Sequence, residues 1–197
     1  MGDGGMTEVR KQTVGKQSIQ FEHAVHILSG ASIVGKKEGE GPLGKYFDVV
    51  GKEDGMFGCQ SWEEAESVLQ KEAVSMAIGK AELEKWQIRT IYVGDLLAQT
   101  IASSFGILGF DTPVYGLYGA CATMGEALSL SSMAVAAGYG DYVVAVTSSH
   151  FGSAEKEFRF PLGYGSQRPL SATWTVTGSG AFILGTKGGK ARITGIT

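Results

Sequence analysis

Cys121 sits in the run Tyr118-Gly119-Ala120-Cys121-Ala122-Thr123, where an extended apolar segment gives way to a helical one. A thiol in the first turn of a helix lies near the positive end of the macrodipole and near unpaired amides, which favours a thiolate or an anion bound beside it. Nucleophilic attack and anion capture are therefore the two chemistries open to it. A purely structural role is the third reading, because free cysteine is among the most buried residue types. Two other stretches carry polar chemistry at the end of an apolar run: Gly94-Asp95, and Thr147-Ser148-Ser149-His150. Asp95 serves equally well as the cap of a helix beginning at Leu96, and His150 as a hydrogen-bonding partner of loop backbone. Arg159 and Arg168 either meet an anion or are solvated. Cys59 has only a structural reading.

These residues depend on the elements that carry them. Ser61-Trp62-Glu63-Glu64 matches a capping box, and Trp62, Ala65, Val68, Leu69, Ala73, Met76 and Ala77 recur at helical spacing, which predicts a helix up to Gly79. From there the pattern alternates: strand 88–93, helix 97–108, strand 113–117, helix 122–137, strand 142–147. Such alternation implies parallel strands joined by crossover helices. Ile91-Tyr92-Val93 and Tyr142-Val143-Val144-Ala145-Val146 are apolar at successive positions, as strands covered on both faces should be. In open parallel sheets ligands sit outside the carboxyl ends of the strands. A pocket containing Asp95, Cys121 and residues Thr147, Ser148 and His150 follows from that topology.

Around this core, residues 1–16 read as a flexible tail, 18–21 and 25–29 as extended segments, and the glycine-rich stretch 35–58 as a long loop. Residues 181–184 and 191–197, on either side of Lys187-Gly188-Gly189-Lys190, read as a hairpin.

The 197 residues are 43% hydrophobic and 19% charged, enough for a sizeable core. Net charge is −3, with Lys and Arg scattered, so the chain has no electrostatic footprint for nucleic acid. The longest apolar stretch, 133–146, is broken by Gly138, Gly140 and Asp141, well short of the ~20 residues a spanning helix needs. No signal peptide is visible. The two cysteines lack disulfide or zinc-ligand spacing, so reduced thiols, an intracellular setting, no metal site and no cofactor are expected.

Several motifs taken together resemble the stage V sporulation protein AD family. They are Glu40-Gly41-Pro42-Leu43-Gly44, Gly94-Asp95-Leu96-Leu97, Tyr118 through Glu126, Thr147-Ser148-Ser149-His150, Phe158-Arg159-Phe160-Pro161 and Thr175-Val176-Thr177-Gly178-Ser179-Gly180-Ala181. The likeness runs from about Gly15 to the last residue. It implies an α/β, thiolase-like fold of two pseudo-repeated halves, each a mixed, mostly parallel five-stranded sheet with helices on both faces. The order of elements fits one half, so residues 17–197 are expected to be the N-terminal half, with the C-terminal half absent from this chain. The resemblance further implies a sporulation protein that binds dipicolinic acid, with calcium, and supports its uptake into the developing spore. Also implied are a full-length homodimer, other stage V sporulation proteins as partners, and peripheral attachment at the inner membrane of the forespore or spore.

The site carried over is the Cys121 pocket. A carboxylate of the planar dianion would lie at the amides of Ala122 and Thr123, with Thr147 and Ser148 as donors. Asp95 would accept from it only if protonated, or face a bound calcium. The alternative is an acyltransferase or condensing enzyme of the thiolase or ketoacyl synthase type with Cys121 as nucleophile. In those enzymes the histidine or asparagine partners come from the second half. A nucleophile without its base and oxyanion donors is a poor condensing catalyst.

Overall fold

Strands that are apolar at every position need cover on both faces, and the architecture supplies it. A computed structural model describes residues 12–52, 55–97, 100–158 and 175–197. In chain order the elements are β1 (Thr13–Val14), β2 (Ser18–Val34), α1 (Lys36–Gly39), β3 (Val49–Val50), α2 (Trp62–Lys80), β4 (Thr90–Asp95), α3 (Ile101–Ile107), β5 (Val114–Leu117), α4 (Thr123–Ala136), β6 (Tyr142–Ser149), α5 (Phe151–Phe158), β7 (Gly178–Gly185) and β8 (Ala191–Ile196).

The central sheet runs β2-β7-β6-β4-β5. β5, β4 and β6 are mutually parallel, and β7 is antiparallel to both its neighbours. Four of the five core strands therefore point the same way. The short strands β1, β3 and β8 all attach to β2, extending the expected five strands to eight.

Side-chain parity divides the core. Ile91, Val93, Val144, Val146 and Ile183 face α2 with Leu69, Ala73 and Val74, while Val143, Ala145 and Leu184 face α4 with Ala127 and Val135. Burial of each such aliphatic side chain is worth ~1.5–3 kcal/mol, so the two clusters hold α2 and α4 on opposite faces. Ser61 caps α2 as its sequence predicts, accepting the Glu64 amide at 3.1 Å, and Glu64 reaches back to the Gln60 amide at 3.0 Å.

Several expectations change. Thr13 and Val14, read as part of a tail, pair with Ile19 and Ser18; residues 1–11 lie outside the described set. The two extended segments are one seventeen-residue strand, whose register with β8 shifts between Gln20 and Val25. β7 and β8 are not a hairpin. Both are antiparallel to β2 and hence run in the same direction, with His26 and Ile27 pairing to both. The Lys187–Lys190 stretch crosses over β2 instead, so close that a Cβ at Gly189 would overlap the Ile27 carbonyl. The stretch 35–58, read as a loop, holds the one-turn α1 and the two residues of β3. α3 starts at Ile101 rather than Leu97, because Thr100 takes a left-handed conformation (φ 53°) that a helix cannot continue through. Among the described residues no helix is long and apolar enough to cross a membrane.

Candidate functional site

β5 ends at Leu117 and the chain turns through a single 3-10 turn, Ala120–Ala122, into α4. Ala120 holds a left-handed backbone (φ 46°), a strained conformation for a residue with a Cβ. The turn is braced by Thr123, whose hydroxyl donates to the Ala120 carbonyl at 2.7 Å and accepts the Gly119 amide at 3.1 Å. Cys121 is left exposed. It lines a cavity of about 710 Å3 with Thr123, Thr147, Ser148 and Ser149, under apolar cover from Val34, Phe47, Leu96 and Met124. The cavity stands at the carboxyl ends of the parallel strands, where the topology predicted it.

Four of the predicted residues, Cys121, Thr123, Thr147 and Ser148, thus share one cavity. The other three do not line it. Ala122 donates its amide to the Gly119 carbonyl at 2.8 Å, and the Thr123 amide goes to the Ala120 carbonyl. Neither is free for a ligand carboxylate, because the tight turn that exposes the thiol consumes both.

Asp95 is the register partner of Ser148, yet its side chain points to the α2 and α3 side of the sheet, at the same parity as Ile91 and Val93. There it accepts the Ser103 hydroxyl at 2.7 Å and the Ser103 amide at 3.2 Å, and it is 3% exposed. Asp95 is therefore a buried anchor for α3, neither the cap of a helix at Leu96 nor a cavity wall.

His150 has the bland role its sequence allowed. Its Nδ1 accepts the Gly152 amide at 3.0 Å, which places the proton on Nε2, 2.8 Å from the Gly55 carbonyl. Burial holds its pKa below the usual value, partly offset by the bond to Gly55 and by the charges of Glu63 and Glu38. Cys59 is half-buried, and burial pushes its thiol up. Arg159 and Arg168 lie outside the described residues.

Sequence reasoning missed the layer beneath the cavity. Glu66 and Gln70 on α2 are 2% and 0% exposed. Glu66 accepts the hydroxyls of Ser148 at 2.7 Å and Ser153 at 3.2 Å, and Gln70 donates to Ser148 at 2.6 Å, to Ser103 at 3.1 Å and to the Gly94 carbonyl at 3.3 Å. A signal was present. At fourfold spacing Glu66 and Gln70 head a row that continues through Val74 and Ile78, both buried, so the two polar residues had to face the core as well.

The sequence model of the family described as "Stage V sporulation protein AD" matches residues 15–197. The stage V sporulation protein AD of Bacillus subtilis (strain 168) is 39% identical over 185 residues, covering 93% of this chain and 54% of that protein. The chain thus spans about half the length of this curated relative. Among solved structures, the 3-oxoacyl-(acyl carrier protein) synthase III of Xanthomonas oryzae pv. oryzae superposes with TM-score 0.57 at 14% identity, over 85% of this chain and 57% of that one. A priming β-ketosynthase of a polyketide pathway gives 0.53 at 18% identity, over 89% of this chain and 52% of that one. At these identities the likeness is one of fold, and the fold is thiolase-like.

Proposed function

The chain belongs to the stage V sporulation protein AD family, and from that premise we propose that it binds dipicolinic acid in the Cys121 cavity and supports uptake of the ligand into the developing spore. One observation carries the reading: an open cavity at the strand ends lined by both hydroxyl-bearing and apolar side chains. A planar aromatic dicarboxylate needs both, donors for its carboxylates and slot-like cover for its ring. Val34, Phe47, Leu96 and Met124 supply the cover. With the Ala122 and Thr123 amides committed within their turn, the Thr147 hydroxyl and the Cys121 thiol are the groups left to meet the ligand from those strands. Calcium would arrive with the ligand, since Asp95 is occupied by Ser103. In the whole protein the work is done as a homodimer, peripherally at the inner membrane of the forespore or spore, with other stage V sporulation proteins.

The test is calorimetric titration with dipicolinate, using isophthalate and picolinate as controls that lack the ring nitrogen or one carboxylate. Cys121→Ala should weaken binding about tenfold or more, the worth of one good polar contact, while changing stability by less than about 0.5 kcal/mol because the residue is exposed. Equal affinity in wild type and variant would remove Cys121 from the site.

A second reading has its own observation. The left-handed Ala120 presents Cys121 outward on a strand-to-helix turn, the posture an acyl-accepting thiol requires. Release of coenzyme A on mixing with acyl-coenzyme A, with acylation mapped to Cys121, would favour the acyltransferase.

A further inference from the structure

Three register partners lie side by side in the cavity wall: Ser32 on β2, Gly180 on β7 and Thr147 on β6. Their neighbours Ile33, Ala181 and Val146 all belong to the cluster that faces α2, so this row presents its side chains to the opposite face, the one that carries α4. Across three strands it reads hydroxyl, bare backbone, hydroxyl. Neighbouring strands are about 4.8 Å apart, so the two hydroxyl-bearing positions stand roughly 10 Å from each other with an empty place midway.

Packing does not require that emptiness. Two other glycines at these strand ends are held by contact, since a Cβ at Gly94 would overlap the Thr123 methyl and one at Gly178 would stand 2.8 Å from the Ile33 carbonyl. Gly180 has no positive φ, and the atom nearest to a Cβ there would be the Met124 methyl at 3.7 Å, an ordinary contact. A side chain would fit, and what it would fill is the floor of the cavity.

Both flanking hydroxyls can turn to a guest. Among the described residues no hydrogen bond holds the Thr147 hydroxyl. The Ser32 hydroxyl donates to Asp48 Oδ2 at 3.3 Å, long against the usual distance of about 2.8 Å, and accepts the Asp48 amide at 3.3 Å. Asp48 keeps the Ser32 amide at 2.9 Å and the Lys80 ammonium when that proton turns away, so its carboxylate is not stranded.

We infer that Gly180 is a specificity-determining residue: a planar aromatic ring lies over its bare backbone, with two carboxylates in 1,3 relation reaching Thr147 on one side and Ser32 on the other. The span is wider than a single carboxylate and leaves room for a six-membered ring between the donors. Met124 closes over the ring, because an unbranched thioether repacks readily around a guest.

This rests on the cavity being the ligand site and names its ligand class, the planar 1,3-dicarboxylates, to which dipicolinate and isophthalate both belong. Calorimetric titration with those two and with picolinate tests it. Gly180→Val should weaken both dicarboxylates about tenfold or more, in the range that overpacking costs, and Gly180→Ala about threefold. The thermal midpoint should stay within about 4 °C of wild type. Ser32→Ala and Thr147→Val should each weaken dipicolinate about tenfold, the worth of one hydrogen bond to a charged group, while at most one of them weakens picolinate. Unchanged dicarboxylate affinity in Gly180→Val overturns the inference, as do hydroxyl variants that both weaken picolinate as much as dipicolinate. Should the valine variant not fold, Gly180→Ala decides in the same sense. A wild type that binds isophthalate but not dipicolinate sinks the functional reading alone, and the same variants then decide the floor; one that binds neither overturns both.

Discussion

Gly94 on β4 lies directly against the Thr123 side chain at the start of α4: a Cβ at Gly94 would overlap the Thr123 methyl and stand 2.7 Å from the Leu117 carbonyl. The absent side chain is what lets the turn carrying Cys121 settle onto the strand ends.

Gly94→Ala should therefore destabilise the fold by ~1–3 kcal/mol, the usual cost of overpacking, and displace the first turn of α4. Urea unfolding reads the first effect. A changed rate of Cys121 alkylation reads the second, and a variant with wild-type stability and labelling would show that α4 yields freely at this contact.

Asp95→Asn should cost ~1–3 kcal/mol, because it weakens two hydrogen bonds to a charged acceptor that anchor α3. The loss should be the same with and without added calcium. A thermal midpoint that drops only when calcium is present would instead make Asp95 a cation ligand.

His150 predicts a pH effect of definite sign. Its folded pKa is lowered by burial, so the unfolded chain takes up the proton first. Its contribution to stability is complete above the unfolded value of about 6.5, and it is lost as pH falls through the folded one. Glu66 acts in reverse, since its raised pKa gives stability that is complete below pH 4.5 and lost as pH rises through about 7. Comparing wild type with His150→Gln isolates the histidine: the stability gap between them should narrow from pH 7.5 to pH 5. A constant gap would mean that the imidazole is not held neutral.

The parallel strands and the place of the cavity were legible because they follow from alternation and strand ends, which the apolar runs at Ile91 and Val143 declare. Ser61 declared the start of α2 for the same reason, a short-range rule with one solution. What failed was geometry with two solutions. Two apolar runs around Gly188 and Gly189 look alike whether they pair with each other or both with a third strand, and β2 is that third strand. Asp95 and Cys121 end neighbouring strands, but the twofold alternation of side chains sends Asp95 to the α2 face, one layer away. Glu66 and Gln70 were hidden by their own polarity. They turn inward because serines from two other segments, Ser103 and Ser148, meet them there, and no local pattern announces such partners.

The long strand β2 takes β7 and β8 as partners from about 150 residues further along the chain, and among the described residues nothing nearer covers that length of it. On the ribosome β2 must therefore wait, unpaired along most of its backbone, until residues 178–196 have emerged. Closure of such distant pairs is entropically slow, so nascent chains halted before Gly178 should stay open to proteases and available to chaperones.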